Sequence, residues 1–210
     1  MMESLYRSLL ERHGRQGWWP LWNRRDGGLE YRPGEYDVPQ GRARAEVVQG
    51  AILAQNTRWS GAAEAVGNLV DAGLDRWSAL AEEPHESLEQ RVRPARFYRQ
   101  KTRRLKVAAN FFAGRDGEPP ERNDLLELWG IGPETADCIL LYAYGVPAMV
   151  VDAYLRRVLR HRGREEVADR SYEEIRAWVE ERLPRDAEVL NEMHALAVAE
   201  GKRISEEEGE

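Results

Sequence analysis

Cysteine is nearly absent: Cys138 is the single one in 210 residues. That excludes an internal disulfide and a cluster held by four thiolates of one chain. Histidines number four and are scattered, so a dedicated zinc site is not expected. Long apolar runs are missing too. The longest, 138–151, is broken by Gly145 and Pro147 and is too short to span a bilayer. The first ten residues lack the basic, apolar and small succession of a secretory signal. No segment alternates with period two as a half-buried strand would, and no repeat recurs at solenoid spacing. These absences leave an all-α, soluble, cytoplasmic protein as the expectation.

What is present fits that reading. Hydrophobic residues make up 42% of the chain, enough for a real core. Apolar residues recur at helical spacing in 43–55, through Val47, Val48, Ala51 and Ile52. Helices are predicted at 3–12, 43–55, 60–71, 75–82, 84–92, 97–112, 123–129, 133–144, 152–162, 172–183 and 186–204. The stretch 14–41, rich in Gly, Pro and Trp, reads as irregular.

The net charge of −6 argues on its face against nucleic acid. Its distribution argues otherwise. From Arg91 to Lys106 there are eight basic residues and no acidic one, and a second cluster runs through Arg156, Arg157, Arg160, Arg162 and Arg164. The acids gather after Glu165 and in Glu206, Glu207 and Glu208. Two readings stand on charge alone: basic surfaces for a polyanion, or solvated helix faces with acidic partners.

The most informative segment is Leu125-Leu126-Glu127-Leu128-Trp129-Gly130-Ile131-Gly132-Pro133-Glu134-Thr135-Ala136. Two helices are joined by a tight turn in which Gly130 and Gly132 permit unusual backbone angles and close approach. Ile131 between them is suited to plug into the helix pair, and Pro133 suits a helix's first turn. The unpaired amides of that turn, with the helix dipole, suit a phosphate. Downstream, Gly145-Val146-Pro147-Ala148-Met149-Val150-Val151 leads to Asp152 at a helix start. Upstream lies Ile52-Leu53-Ala54-Gln55-Asn56-Thr57.

These three motifs, in this order, resemble the helix-hairpin-helix (HhH-GPD) DNA glycosylase superfamily of the endonuclease III-like type. The resemblance implies a two-lobed helical fold. A barrel lobe would cover 42–146 with the hairpin at about 123–144, and 1–41 with 147–210 would form a second lobe carrying the catalytic carboxylate. It implies Asp152 as that carboxylate and Gln55 as the residue that fills the gap left by a flipped-out base. Gln55, Asn56, Gly130, Ile131, Gly132 and Thr135 would meet DNA, and Arg93, Arg99 and Lys101 its phosphates. Double-stranded DNA with a damaged base is the implied partner, and the protein is expected to act as a monomer beside the chromosome.

Two departures narrow the choice. Bifunctional members place a lysine nucleophile where this chain has Glu134. The four-cysteine loop of many members would begin about where this chain ends, after Gly201-Lys202. Trp18-Trp19-Pro20, Gln55-Asn56-Thr57, Val92-Arg93-Pro94 with Phe97-Tyr98, and Val150-Val151-Asp152 look like the cluster-free 3-methyladenine glycosylases. The implied activity is monofunctional hydrolysis of alkylated purines, with no cofactor or metal. Trp18, Trp19, Trp59 and Glu134 are the base-pocket candidates, since aromatic faces favour a cationic ring.

Each assignment has a plainer counterpart. Asp152 is also an ideal N-cap, the tryptophans are also core material, and Gln55 could be a capping amide. Glu134 also suits any helix's first turn. Cys138 is most simply a packed thiol. Lys202 is unremarkable if exposed, and must be paired or neutralised if buried. A glycosylase for uracil, thymine or mismatched adenine, a bifunctional lyase and a non-catalytic hairpin module are the competing functions.

Overall fold

The computed structural model describes residues 2–115 and 117–209, and helices carry most of it. In chain order these are α1 (Met2–His13), α2 (Gly41–Leu53), α3 (Trp59–Asp71), α4 (Trp77–Glu82), α5 (His85–Arg91) and α6 (Tyr98–Phe112). There follow α7 (Arg122–Leu126), α8 (Pro133–Cys138), α9 (Ala153–His161), α10 (Glu165–Ala168), α11 (Tyr172–Glu180) and α12 (Ala187–Glu208). A 3-10 turn covers Arg93–Ala95, and a π-helical turn, Ile139–Ala143, continues α8. Among the described residues no helix is long and apolar enough to cross a membrane.

The chain divides into two compact units. One comprises 2–18, Tyr31–Tyr36 and 145–209, with α1 and α9 to α12. Its centre is α12, packed against α9. Gly201 permits that approach, since a Cβ there would lie 2.8 Å from the Tyr154 side chain. Two buried carboxylates of α12 organise the surroundings. Glu200 meets Arg12 at 3.0 Å, His13 at 2.7 Å and Arg203 at 3.0 Å. Burial opposes its ionisation, but hydrogen bonds from Arg203 and His13 and the charge of Arg12 prevail, holding its pKa at about 2. Glu192 accepts the Gln16 amide at 3.0 Å and the Tyr36 hydroxyl at 2.5 Å, fixing the 31–36 segment.

The other unit comprises Trp19–Glu30 and Asp37–Tyr144. Its central helix, α2, is buried from Arg44 to Leu53. Buried polar residues there find partners: Arg44 donates to the carbonyls of Pro39, Ala143 and Gly117, and Gln49 donates through Nε2 to the carbonyl of Leu74. Burial raises the pKa of Glu46, which accepts the Trp22 amide and an Arg24 hydrogen bond. Arg24 also bonds Asp75, which Arg42 holds in a two-pronged pair at 2.7 and 2.8 Å.

The structure departs from the sequence reading in several places. The segment read as irregular contains a two-residue antiparallel ladder, β1 (Leu21–Trp22) and β2 (Leu29–Glu30), too short to display a period. Residues 19–30 and 37–41 group with the 42–144 unit rather than with the N-terminus. The physical reason is the packing of Trp19 on Gly50 and of Trp22 on Gly67, where a Cβ would lie 2.9 and 2.5 Å from the respective rings. Helix α7 stops at Leu126, α12 runs on to Glu208, and α10 went unread because it is one turn long.

Gly61 on α3 lies against the 3-10 turn so closely that a Cβ would sit 2.4 Å from the Pro94 carbonyl oxygen. Backbone cannot rotate away as a side chain can. Gly61→Ala is therefore expected to destabilise the protein by about 1–3 kcal/mol, a Tm loss of roughly 2–10 °C. A thermal melt within one degree of wild type would show that the turn yields freely.

Candidate functional site

Asp152 stands at the N-cap of α9 with extended backbone, φ −103° and ψ −177°. The preceding Ala148, Met149, Val150 and Val151 are buried, so the side chain emerges from an apolar wall. Oδ1 accepts the Leu155 amide at 2.7 Å, satisfying one of the helix's open donors. Oδ2 lies 3.5 Å from Nε2 of His194 on α12, and both side chains are largely buried, at 13% and 7% exposure. The cap and the chemical candidate are thus the same group: one oxygen holds the helix and the other faces the imidazole.

The hairpin forms in the second unit. Arg122 on α7 grips the buried Asp137 on α8 through two hydrogen bonds of 2.8 and 3.0 Å, which sets the angle between the two helices. Gly130 has φ +83°, and a Cβ there would lie 2.5 Å from Arg104, so both conformation and space demand glycine. Ile131 is buried as a plug. Gly132 differs: its φ is −99°, open to any residue, and nothing lies within 4 Å of where its Cβ would be. The expectation of a special backbone angle therefore fails at Gly132, because the turn has already been made at Gly130. Glu134 is exposed in the first turn of α8, and Thr135 is buried.

Gln55 is bound into this hairpin. Its Nε2 donates to Thr135 Oγ1 at 2.7 Å and to the Gly130 carbonyl at 3.2 Å, while its Oε1 accepts from Arg104. The next residue, Asn56, is exposed with φ +49°. Two further left-handed non-glycine residues are adjacent in sequence, Arg96 at +57° and Phe97 at +41°. Phe97 is 54% exposed. Strained conformations at exposed loop tips persist where the surrounding structure enforces them, often at ligand-binding sites. Phe97 enters the sequence reading only within the Phe97-Tyr98 resemblance and not as a site residue, because nothing local marks it as exposed.

The aromatic candidates separate. Trp19 packs edge-on against Trp59, centroids 5.3 Å apart at 82°, and against Tyr142 at 5.3 Å. Trp18 belongs to the other unit and packs on Tyr31 at 5.9 Å. Trp22 bonds Asp71 through its indole nitrogen and serves the hairpin ladder. Tyr142 was missed because it sits in an apolar helical run, and His194 because a lone histidine between Met193 and Ala195 looks like packing. Cys138 is half-buried, and Lys202 is exposed and so needs no buried partner. Among the described residues, no group of three His, Cys, Asp or Glu is arranged to hold a metal ion.

Residues 49–185 match the HhH-GPD superfamily base excision DNA repair protein family. The chain belongs to the HhH-GPD superfamily. It is accordingly a DNA glycosylase, an enzyme that cleaves N-glycosidic bonds of DNA. It is 34% identical, over 97% of its length and 88% of the relative's, to the protein named "Putative DNA repair glycosylase MJ1434" of Methanocaldococcus jannaschii. Among solved structures it is similar to the H. pylori 3-methyladenine DNA glycosylase MagIII bound to 1,N6-ethenoadenine. Identity there is 25%, the TM-score is 0.71, and 96% of this chain and 94% of that one are covered. A trapped endonuclease III–DNA covalent intermediate shares the fold, with a TM-score of 0.69 at 20% identity, over 94% of this chain and 84% of that one.

One expected DNA contact of the glycosylase is corrected by its surroundings. Lys101 has no exposed surface; its Nζ donates to the Leu53 carbonyl at 2.7 Å and to the Ala95 carbonyl at 2.6 Å. It cannot meet a phosphate. The ammonium instead ties the end of α2, just before Asn56, to the 3-10 turn just before Arg96 and Phe97. Arg93 and Arg99 remain exposed, as do Arg96 and Arg103. Arg91 bonds Glu83, and Lys106 bonds carbonyls at Leu80 and Ala81.

Burial, with smaller contributions from the charges of Arg104 and Arg96, lowers the Lys101 pKa to about 8. The unfolded chain holds this proton up to the ordinary lysine value of 10.5. Below pH 8 both states are charged and the fold carries the desolvation cost; above 10.5 both are neutral and it does not. Stability from this residue therefore rises with pH between 8 and 10.5. In unfolding titrations, the stability of wild type minus that of Lys101→Met should rise by on the order of 3 kcal/mol across this window. A difference that is flat with pH would mean the ammonium is not desolvated.

Proposed function

We propose that this glycosylase hydrolyses alkylated purines of the 3-methyladenine type from duplex DNA, leaving an abasic site and performing no lyase step. The observation that carries the reading is the partly exposed Trp19–Trp59 pair backed by Tyr142, in a chain whose Asp152 carboxylate follows an apolar wall. A purine alkylated at N3 or N7 is cationic. The electrons of its glycosidic bond collapse onto the ring and neutralise it, so departure needs no acid catalyst. What such a reaction needs is selectivity for the cation and stabilisation of the sugar left behind. Aromatic faces supply the first, worth on the order of 1–2 kcal/mol when desolvated. A carboxylate supplies the second, through its field on the oxocarbenium-like sugar and by orienting the attacking water. Trp18, on Tyr31, is the third pocket candidate. The likeness to the H. pylori 3-methyladenine enzyme supports the same substrate class.

The DNA-facing assignments follow the exposed features. Open space at Gly132, with the first-turn amides of α8, accommodates a phosphate. Asn56 and Phe97 present polar and stacking surface at strained tips, with Arg93 and Arg99 nearby in sequence. Gln55 fills the vacated base position only by exchanging its bonds to Thr135, Gly130 and Arg104 for bonds to DNA. Glu134, exposed where bifunctional members carry lysine, can act on a cationic base only through its charge and cannot form a Schiff base.

A panel of lesion-bearing duplexes tests the reading. Asp152→Asn is expected to lower excision at least 100-fold while affinity for a duplex with a tetrahydrofuran abasic analogue changes less than threefold, because the carboxylate acts on charge that develops in the transition state. Trp19→Ala or Trp59→Ala should reduce excision of the methylated purine more than it reduces thermal stability. If uracil proves the best substrate, or all the tryptophan variants excise normally, the alkyl-purine assignment fails.

Borohydride should trap no covalent complex during turnover, since a monofunctional hydrolase forms no imine. Lesion-dependent trapping would establish a lyase step by another amine.

A further inference from the structure

His194 is a buried imidazole that the proposed chemistry does not yet use. It lies on α12, 5% exposed, and its Nε2 is 3.5 Å from Asp152 Oδ2. The placement follows from helix packing. His194 and Gly201 are seven residues apart on α12 and therefore share a face. Gly201 lets that face close onto Tyr154 of α9, and Asp152 caps the same α9 two residues earlier. The close approach at one point brings the imidazole to the carboxylate at the other.

The carboxylate has one anchor at Oδ1, the Leu155 amide. A carboxylate held at one oxygen still pivots about that bond, which moves Oδ2, the oxygen left for the sugar cation and the water. A second group beside Oδ2 limits that freedom by contact, the 3.5 Å separation being longer than a formed hydrogen bond. We infer that His194 is a positioning residue for Asp152, fixing Oδ2 in the orientation that serves the cleavage step without itself touching DNA. The inference rests on the assignment of Asp152 as the reactive carboxylate. Positional errors of about 1 Å at a reacting group can cost 100-fold in rate.

Two variants separate positioning from packing. His194→Phe fills the volume but removes the ring nitrogen; His194→Gln restores an N–H donor near the position of Nε2. Single-turnover excision of a methylpurine duplex, or of whichever lesion the panel shows to be excised, is measured for both. Affinity for the tetrahydrofuran duplex and Tm are measured alongside. Phe is expected to lower the excision rate constant about 10- to 100-fold with affinity within threefold of wild type, and Gln to recover most of the rate at whatever Tm it has. The inference is overturned if Phe excises within twofold of wild type, or if Gln loses as much rate as Phe. Asp152→Asn run in parallel keeps the two readings apart. If it remains active, the reactive-carboxylate reading falls; if it is inactive while Phe is active, only the positioning role falls.

Discussion

The hydrogen bond from the Leu155 amide to Asp152 is the point at which fold and proposed chemistry meet. An N-cap contributes about 1 kcal/mol to its helix, and any of Ser, Thr, Asp or Asn can make one. Here the cap follows four buried residues that fix its approach, and α9 behind it packs on α12 through Gly201. The carboxylate is therefore held by its own helix and by the wall before it, with α12 packed on that helix. A group whose task is to meet a transient cation gains from such rigidity, because no reorganisation is left to be done when the charge appears. Asp152→Asn retains a capping oxygen, so loss of the charge is separable from loss of the helix.

A comparable economy operates in the hairpin unit. The buried ammonium of Lys101 joins the carbonyls of Leu53 and Ala95, and the left-handed Asn56, Arg96 and Phe97 follow those two points within three residues. Left-handed conformations in such residues cost on the order of 1 kcal/mol or more each and persist only when over-determined. The ammonium, desolvated and cross-linking two chain ends, is the device that over-determines them. Gln55 then occupies the Thr135 hydroxyl and the Gly130 carbonyl without DNA. On the proposed reading, engaging DNA through Gln55 trades those bonds for others, and the net gain is smaller than a count of new contacts suggests.

How much of this was legible in the sequence depended on whether the signal was local. The all-α class, the hairpin glycine at 130, the plug at Ile131 and the helix start at Asp152 all rest on short-range chemistry and stand out in the residues themselves. The β1–β2 ladder did not, because two residues carry no period. The π turn at Ile139–Ala143 reads as ordinary helix, since its composition differs in no way from α-helical sequence. Partnerships between distant residues were illegible. Nothing near His194 says that Asp152 lies beside it, and nothing near Tyr142 says that Trp19 does. Lys101 was misread for the same reason. A lysine in a basic run resembles its neighbours until the carbonyls that bury it are known, and those belong to residues 48 positions before it and 6 before it.

The fate of that basic run also settles what the net charge of −6 is worth as an argument. Of its eight cations, Lys101 is interior, Lys106 is bound to carbonyls, Arg91 is paired with Glu83, and Arg104 serves Gln55. The exposed remainder is Arg93, Arg96, Arg99 and Arg103, which flank the strained tip at Phe97 in sequence. Of these, Arg99 has Glu89 at 3.9 Å, an exposed contact of little energetic weight, and Arg103 stacks on Trp129 at 4.0 Å. Counterion release depends on the cations that reach phosphate and not on the sum over the chain. A protein acidic in total can therefore carry a locally basic surface, and only the cations left exposed there are open to a polyanion. Sequence counting overstates that number, because it includes cations that the fold has already committed to its own carbonyls.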